Sequence, residues 1–138
     1  MIRFRYEYQP SLHWGQILRP IATVGLEVNH RKIETPMYID SGADITMVPL
    51  NLGRALGFKQ TPSDKIYEIR GVSGGGVAYI LKTAYLTIGK HRFKIRLAWA
   101  LIEEVPILLG RMDIFPRFKI AFDERKEVVS FAPHHSIK

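Results

Sequence analysis

The chain has 138 residues, of which 46% are hydrophobic and 24% charged, and its formal net charge is +7. That balance fits one soluble globular domain, and the absence of cysteine excludes a disulfide framework, a thiol nucleophile and any Cys-ligated metal site. No apolar run approaches the roughly 20 residues that span a bilayer. The N-terminus alternates charged with apolar residues and so lacks a signal-peptide core, which leaves the cytoplasm as the expected location and a membrane as no partner.

Short strands dominate the pattern. Ile2, Phe4, Tyr6 and Tyr8 alternate with Arg3, Arg5 and Glu7, the period of two that gives a strand one buried face. Pro10 to Gly15 is expected to break that strand. A second strand is predicted over 21–28, with a turn at Asn29-His30, and a third over 33–39, which delivers Asp40. Pro49 can start a short helix through Leu56, with Gly57 as its stop. Strands follow at 66–70 and 77–88, and Gly89-Lys90 is a hairpin turn. Residues 93–101 place Phe93, Ile95, Leu97 and Trp99 on one face. One helical turn is expected within 111–116, and a last hairpin joins 118–122 to 128–131 around Glu124-Arg125-Lys126. The predicted class is all-β with one or two short helices. The expected organisation is one domain over 1–138, with an extra N-terminal strand at about 2–8, a core over about 18–132 and a short tail at 133–138. No linker, low-complexity segment or internal repeat interrupts it.

The 20 Lys+Arg residues outnumber the 13 Asp+Glu, which raises the question of nucleic acid. The basic residues are scattered. Their densest cluster, Lys90-His91-Arg92 with Lys94 and Arg96, lies at a turn and along one strand face. A solvated surface accounts for them, so nucleic acid is not the expected partner, although a small basic β-barrel that binds RNA or DNA stands as an alternative. The charge could also favour acidic segments of a protein ligand. His134-His135 reads as a tail, because adjacent strand residues point to opposite sides and no carboxylates accompany them. Trp14 and Trp99 are expected to pack.

Three separated stretches carry chemistry. The first is Asp40-Ser41-Gly42, after Met37-Tyr38-Ile39 and before Ala43-Asp44. An acid at the end of an apolar run needs a partner, because an unpaired buried charge shifts its pKa or destabilises the fold. A sharp turn with backbone close to backbone explains the glycine, which has no Cβ to obstruct it. Asp64, Asp113 and Asp123 are not followed by such residues. The second stretch is Gly71-Val72-Ser73-Gly74-Gly75-Gly76, between two predicted strands. A phosphate-cradling loop would need Gly-Lys-Ser/Thr and then a helix, whereas Val77-Ala78-Tyr79-Ile80-Leu81 reads as a strand. A mobile hairpin tip and a plain flexible loop both remain open. The third is Ile107-Leu108-Leu109-Gly110-Arg111.

Together, and in this order, the three stretches resemble the retropepsin-like, retroviral-type single-domain aspartic proteases. The resemblance covers about residues 18 to 132. It implies a retropepsin-like acid-protease β-barrel that is half of a two-fold symmetric dimer, with Asp40, Ser41 and Gly42 as the catalytic loop. The family more often has Thr at the position of Ser41, and that hydroxyl bonds across the dimer axis. The glycine-rich tip would be a flap that closes over substrate. Ala43, Asp44, Val72, Gly74, Gly75, Pro106 and Leu108 would contact the substrate. Gly110 would let the chain cross closely behind the loop, and Arg111 would pair with Asp44, a strong bond when bidentate. Arg19-Pro20 is similar to an Arg-Pro of retroviral members whose Arg reaches the partner subunit. The terminal hairpin is more similar to cellular members, such as the protease domain of the DNA-damage-inducible proteins.

The activity this resemblance implies is that of a homodimeric aspartic endopeptidase. Two facing carboxylates cannot both ionise readily and share one proton. One acts as general base on water and the other donates to the scissile carbonyl, without metal or cofactor. The substrate would be an extended protein or peptide segment bound by main-chain hydrogen bonds, and a mostly apolar cleft suggests hydrophobic residues flanking the cut. A catalytically inactive peptide-binding and dimerisation module on the same fold is the second reading.

Overall fold

The alternation along residues 91–100 sets the architecture. In the computed structural model, which describes residues 1–70 and 75–134, they form one long strand. Its Phe93, Ile95, Leu97 and Trp99 enter the main core. The opposite face starts in solvent at Arg92, Lys94 and Arg96 and ends buried at Ala98 and Ala100. One strand thus supports two apolar clusters, and the smaller alanine side chains leave room over the second.

The strands in chain order are β1 (Ile2–Arg5), β2 (Glu7–Ser11), β3 (Gly15–Arg19), β4 (Ile21–Val28), β5 (Arg31–Ile39), β6 (Thr46–Val48), β7 (Ile66–Arg70), β8 (Gly76–Ile88), β9 (His91–Ala100), β10 (Leu108–Leu109), β11 (Phe118–Asp123) and β12 (Val128–Pro133). One α-helix, α1 (Leu50–Ala55), and a 3₁₀ turn at Phe115–Arg117 complete the described elements. The largest sheet runs β4-β5-β10-β6-β9-β8-β7, and β4 also pairs with β8. That last pairing, Gly25 opposite Thr87 through Glu27 opposite Tyr85, closes six strands into a barrel, and closure removes open edges. β7 stays outside the closure as the hairpin partner of β8. Among the described residues no helix is long and apolar enough to cross a membrane.

The all-β expectation holds, with differences that have local causes. The strand expected over 2–8 is two strands. Tyr6 separates them: its N–H bonds to the Glu127 carbonyl at 2.8 Å, and its buried hydroxyl donates to the Glu124 carboxylate. Burial, and then that bond, push the Tyr6 hydroxyl well above the usual phenol range. β1 therefore joins β12 and β11 in a three-stranded sheet, while β2 and β3 form a separate ribbon. Pro10, expected as a breaker, lies inside β2 opposite Gln16. Both strands of a two-stranded ribbon are edges, so a residue without an N–H is tolerated there. At the ribbon tip Trp14 is 78% exposed, against the expectation that it packs. Trp99 does pack, and its Nε1 donates to the Leu50 carbonyl at 3.1 Å.

The helix from Pro49 ends where expected. Gly57 has φ +94°, its N–H bonds to the Arg54 carbonyl, and the Phe58 N–H bonds to the Gly53 carbonyl. This is the paired C-terminal closure that a left-handed residue makes. β6 was not predicted; three buried residues show no alternation to read. The helical turn expected within 111–116 is shifted to 115–117, because Asp113 has φ +68° and interrupts any continuous turn.

Asp113 also anchors this segment to β9. It accepts from the Arg96 backbone N–H at 2.8 Å and from Arg96 Nε and Nη2 at 2.9 and 2.8 Å. The Arg96 side chain, foremost, holds the Asp113 carboxyl below its usual range. A carboxylate with a lowered folded pKa stabilises the fold above its unfolded pKa and loses that contribution as pH falls through the folded value. Arg96 is half-exposed, so solvent screens the pair. Asp113→Asn is therefore expected to cost about 0.5–1 kcal/mol at neutral pH. Thermal unfolding should show the full gap above pH 3.8, the unperturbed value, and a narrowing gap at lower pH.

Candidate active site

The main chain alone places Asp40. The end of β5 runs parallel to β10, with Tyr38 opposite Leu108 and Ile39 opposite Leu109. The Asp40 N–H continues this ladder to the Leu109 carbonyl at 3.0 Å. β10 is inserted between β5 and β6, although those two are consecutive in the chain. Residues 40–45 must therefore pass over β10. Inside the resulting loop the Gly42 N–H donates to Asp40 Oδ1 at 2.9 Å, and the Ala43 N–H to the Asp40 carbonyl at 3.2 Å. The Arg111 and Met112 N–H groups bond to the Ala43 and Asp44 carbonyls, each at 2.9 Å. Asp40 is half-buried, while Ser41 and Gly42 are exposed.

The crossing needs Gly110. A Cβ there would strike the Ile45 carbonyl group and lie 2.8 Å from the Thr46 nitrogen, a contact only glycine avoids. The Gly110 N–H is buried and donates to Thr46 Oγ1 at 3.0 Å. Thr46 is fully buried and was not read from the sequence as part of the site. A signal existed: a hydroxyl within the apolar run Ile45–Val48 needs a partner if buried.

The expected Arg111–Asp44 ion pair is not formed. Among the described residues the ion pairs are Arg70–Glu68, Lys82–Asp64, Arg92–Glu27 and Arg96–Asp113. Arg111 instead donates to the Ser41 carbonyl at 3.3 Å, with its guanidinium 5.5 Å from the centre of the Phe115 ring. The main-chain bonds of Arg111 and Met112 already tie the two segments, and an exposed ion pair gains little over water. Arg19 lies over the Tyr38 ring at 5.0 Å, within its own chain.

A groove of about 550 Å³ opens beside the loop. Of the residues expected to meet a substrate, Ala43, Asp44, Gly75, Pro106 and Leu108 line it together with Gly42. Val72 and Gly74, like Gly71 and Ser73, lie outside the described residues, so the tip of the expected flap does too. The sequence reading missed Ile45 and Met47 beyond the loop, Ile69, Val77 and Tyr79 on the β7–β8 hairpin, and Glu104 and Val105 ahead of Pro106. Most of these pack on Met47, Ala98 and Ala100, the second apolar cluster. Tyr79 is braced by stacking on Tyr67 at 5.4 Å. The hairpin alternation was legible, but the face turned to the groove was not.

The remaining candidate aspartates serve local structure. Asp64 accepts from the Thr61 N–H at 2.7 Å, the main cause of its lowered pKa. Asp123 accepts from the Lys126 N–H at 2.9 Å and Asp113 binds Arg96.

A family model described as aspartyl protease matches residues 24–112, a span that includes the Asp40 loop, both hairpin strands and β10. No curated protein matches the chain. Among solved structures, a retropepsin-like aspartic protease from Rickettsia conorii is similar, with TM-score 0.63 and 21% identity over 94% of this chain and 98% of that one. The EIAV protease complexed with the inhibitor HBY-793 is similar with TM-score 0.53 and 21% identity, over 67% of this chain and 82% of that one. These likenesses establish a retropepsin-like fold.

Thr46→Val keeps the volume but leaves the buried Gly110 N–H unpaired. It is expected to lower stability by about 1–3 kcal/mol in chemical unfolding, whereas Thr46→Ser, which keeps the hydroxyl, should lose less. Equal stability of the Val variant and the parent would rule out the Thr46 bond as the tie across the crossing.

Proposed function

The chain belongs to the aspartyl protease family, and from that membership we propose that it is a homodimeric aspartic endopeptidase acting on extended protein segments. The observation that carries this reading is the geometry at Asp40. There is one Asp-Ser-Gly loop in the sequence, its carboxylate is oriented by the Gly42 N–H, and the following Gly42, Ala43 and Asp44 line an open groove. A second copy of the same loop would complete the pair of carboxylates that the chemistry needs.

In this reading the two Asp40 side chains face each other and share one proton. The ionised carboxylate takes a proton from a water, whose oxygen attacks the scissile carbonyl carbon. The protonated one donates to the carbonyl oxygen. As the tetrahedral intermediate collapses and the C–N bond breaks, the first carboxyl gives the departing nitrogen the proton it took from water, and the second carboxylate takes one back from an intermediate hydroxyl, which restores the shared proton. The Ser41 hydroxyl, exposed here, bonds across the two-fold axis and fixes the loops against each other. Gly42, Ala43 and Asp44 supply main-chain and side-chain contacts to a substrate laid along the groove as an added strand. The β7–β8 hairpin, whose Ile69, Val77 and Tyr79 line the groove, covers the substrate and excludes water.

Asp40→Asn should abolish peptide cleavage, by about 10²–10⁴-fold or more, while leaving thermal stability close to that of the parent. The parent should also sediment as a dimer at the concentrations where it cuts. Full activity of the Asn variant, or cleavage by a strict monomer, would overturn the assignment. Peptide binding without any turnover would favour the inactive-module reading.

A further inference from the structure

The charge of the groove runs against that of the chain. The net charge is +7, yet among the described residues the charged ones lining the groove are two carboxylates, Asp44 and Glu104, with no Lys, Arg or His. Both are exposed, and neither enters an ion pair among the described residues. The neighbouring Glu103 is already engaged, since its Oε1 accepts from the Asn51 N–H at the start of α1 at 2.8 Å. Glu104 is the one of the two adjacent acids that lines the groove. The walls beside it are apolar, with Ile69, Val77 and Val105 packed on the second cluster.

An apolar wall edged by a free carboxylate suits one kind of side chain. Lys and Arg bury a hydrocarbon stem and keep a cationic head at the rim. A wholly apolar side chain would reduce the hydration of the carboxylate without replacing it, and an acidic one would be repelled. The surface cations elsewhere do not reverse this, because salt screens exposed charges beyond about 8 Å at physiological ionic strength. We propose that Glu104, supported by Asp44, is a specificity-determining residue that selects a Lys or Arg side chain in the bound segment. This rests on the groove being the peptide cleft. It differs from two expectations from the sequence, acidic segments favoured by the overall charge and hydrophobic residues flanking the cut.

The test separates binding from cutting. The full chain carrying Asp40→Asn is titrated with extended fluorescent peptides that differ only in lysine or norleucine, moved along the peptide one position at a time. At one position lysine should bind about three- to tenfold more tightly. That ratio should shrink toward one in 0.5 M salt (about 4 Å screening length). Adding Glu104→Gln should bring the ratio close to one, and Glu104→Lys should bring it below one, with norleucine favoured over lysine. Equal binding of lysine and norleucine at every position, a preference that survives Glu104→Gln, or no binding of either peptide would each overturn the proposal. Cleavage by the parent chain is read in parallel. Turnover without a lysine preference removes the role of Glu104 alone, and a Glu104-dependent preference without turnover removes the catalytic reading alone.

Discussion

The contact on which the site depends is the passage of Gly110 beneath the Ile45 carbonyl. β10 contributes only two residues, yet it pairs with β5 on one side and β6 on the other. The chain leaving β5 must arch over it to reach β6, and the arch carries Asp40. Any side chain at 110 would force the two segments apart. The Thr46 hydroxyl then satisfies the nitrogen that this close approach cuts off from water. Orientation of the acid is thus a by-product of backbone packing. It needs no salt bridge, which is consistent with Arg111 turning to the Ser41 carbonyl instead of to Asp44.

β9 is the second constraint. Large residues on one face fill the barrel, while Ala98 and Ala100 on the other leave space for Met47 and the β7–β8 hairpin. A bulky residue at either alanine would enter the volume on which the groove is built, because tightly packed interiors accommodate added methylenes poorly. The same strand ends the solvent-facing run of Arg92, Lys94 and Arg96 before the groove begins. Arg96 is drawn away by Asp113, and so the groove keeps only acidic charge among its described lining residues. The placement of Asp40 and the charge of the groove therefore have separate physical origins, the first in main-chain crossing and the second in which side chains are left unpaired at the rim.

Much of the fold was readable because its signals are local. Period-two alternation located β9, short apolar stretches between turn residues located β4, β5, β7 and β8, and Gly57 and Gly89 marked turns through their backbone freedom. Reading failed where local signals were overridden by tertiary partners. Tyr6 broke a clean alternation because its hydroxyl and N–H both found partners near the terminal hairpin. Pro10 entered a strand because the ribbon has two free edges. β6 could not be seen because both of its faces are buried and it is only three residues long.

The sequence by itself determined that this is an all-β chain with one acid held on a tight glycine loop, and which short stretches frame it. Those properties follow from residue type and spacing along the chain, and they also carried the likeness to the aspartic proteases. Only the tertiary structure decided which acid keeps a free carboxylate at the groove, whom Arg111 binds, and that Thr46 closes the crossing. These depend on distances between residues as far as 64 and 70 positions apart. Such distances are set by how strands pair and cross, and no periodicity in the sequence encodes them.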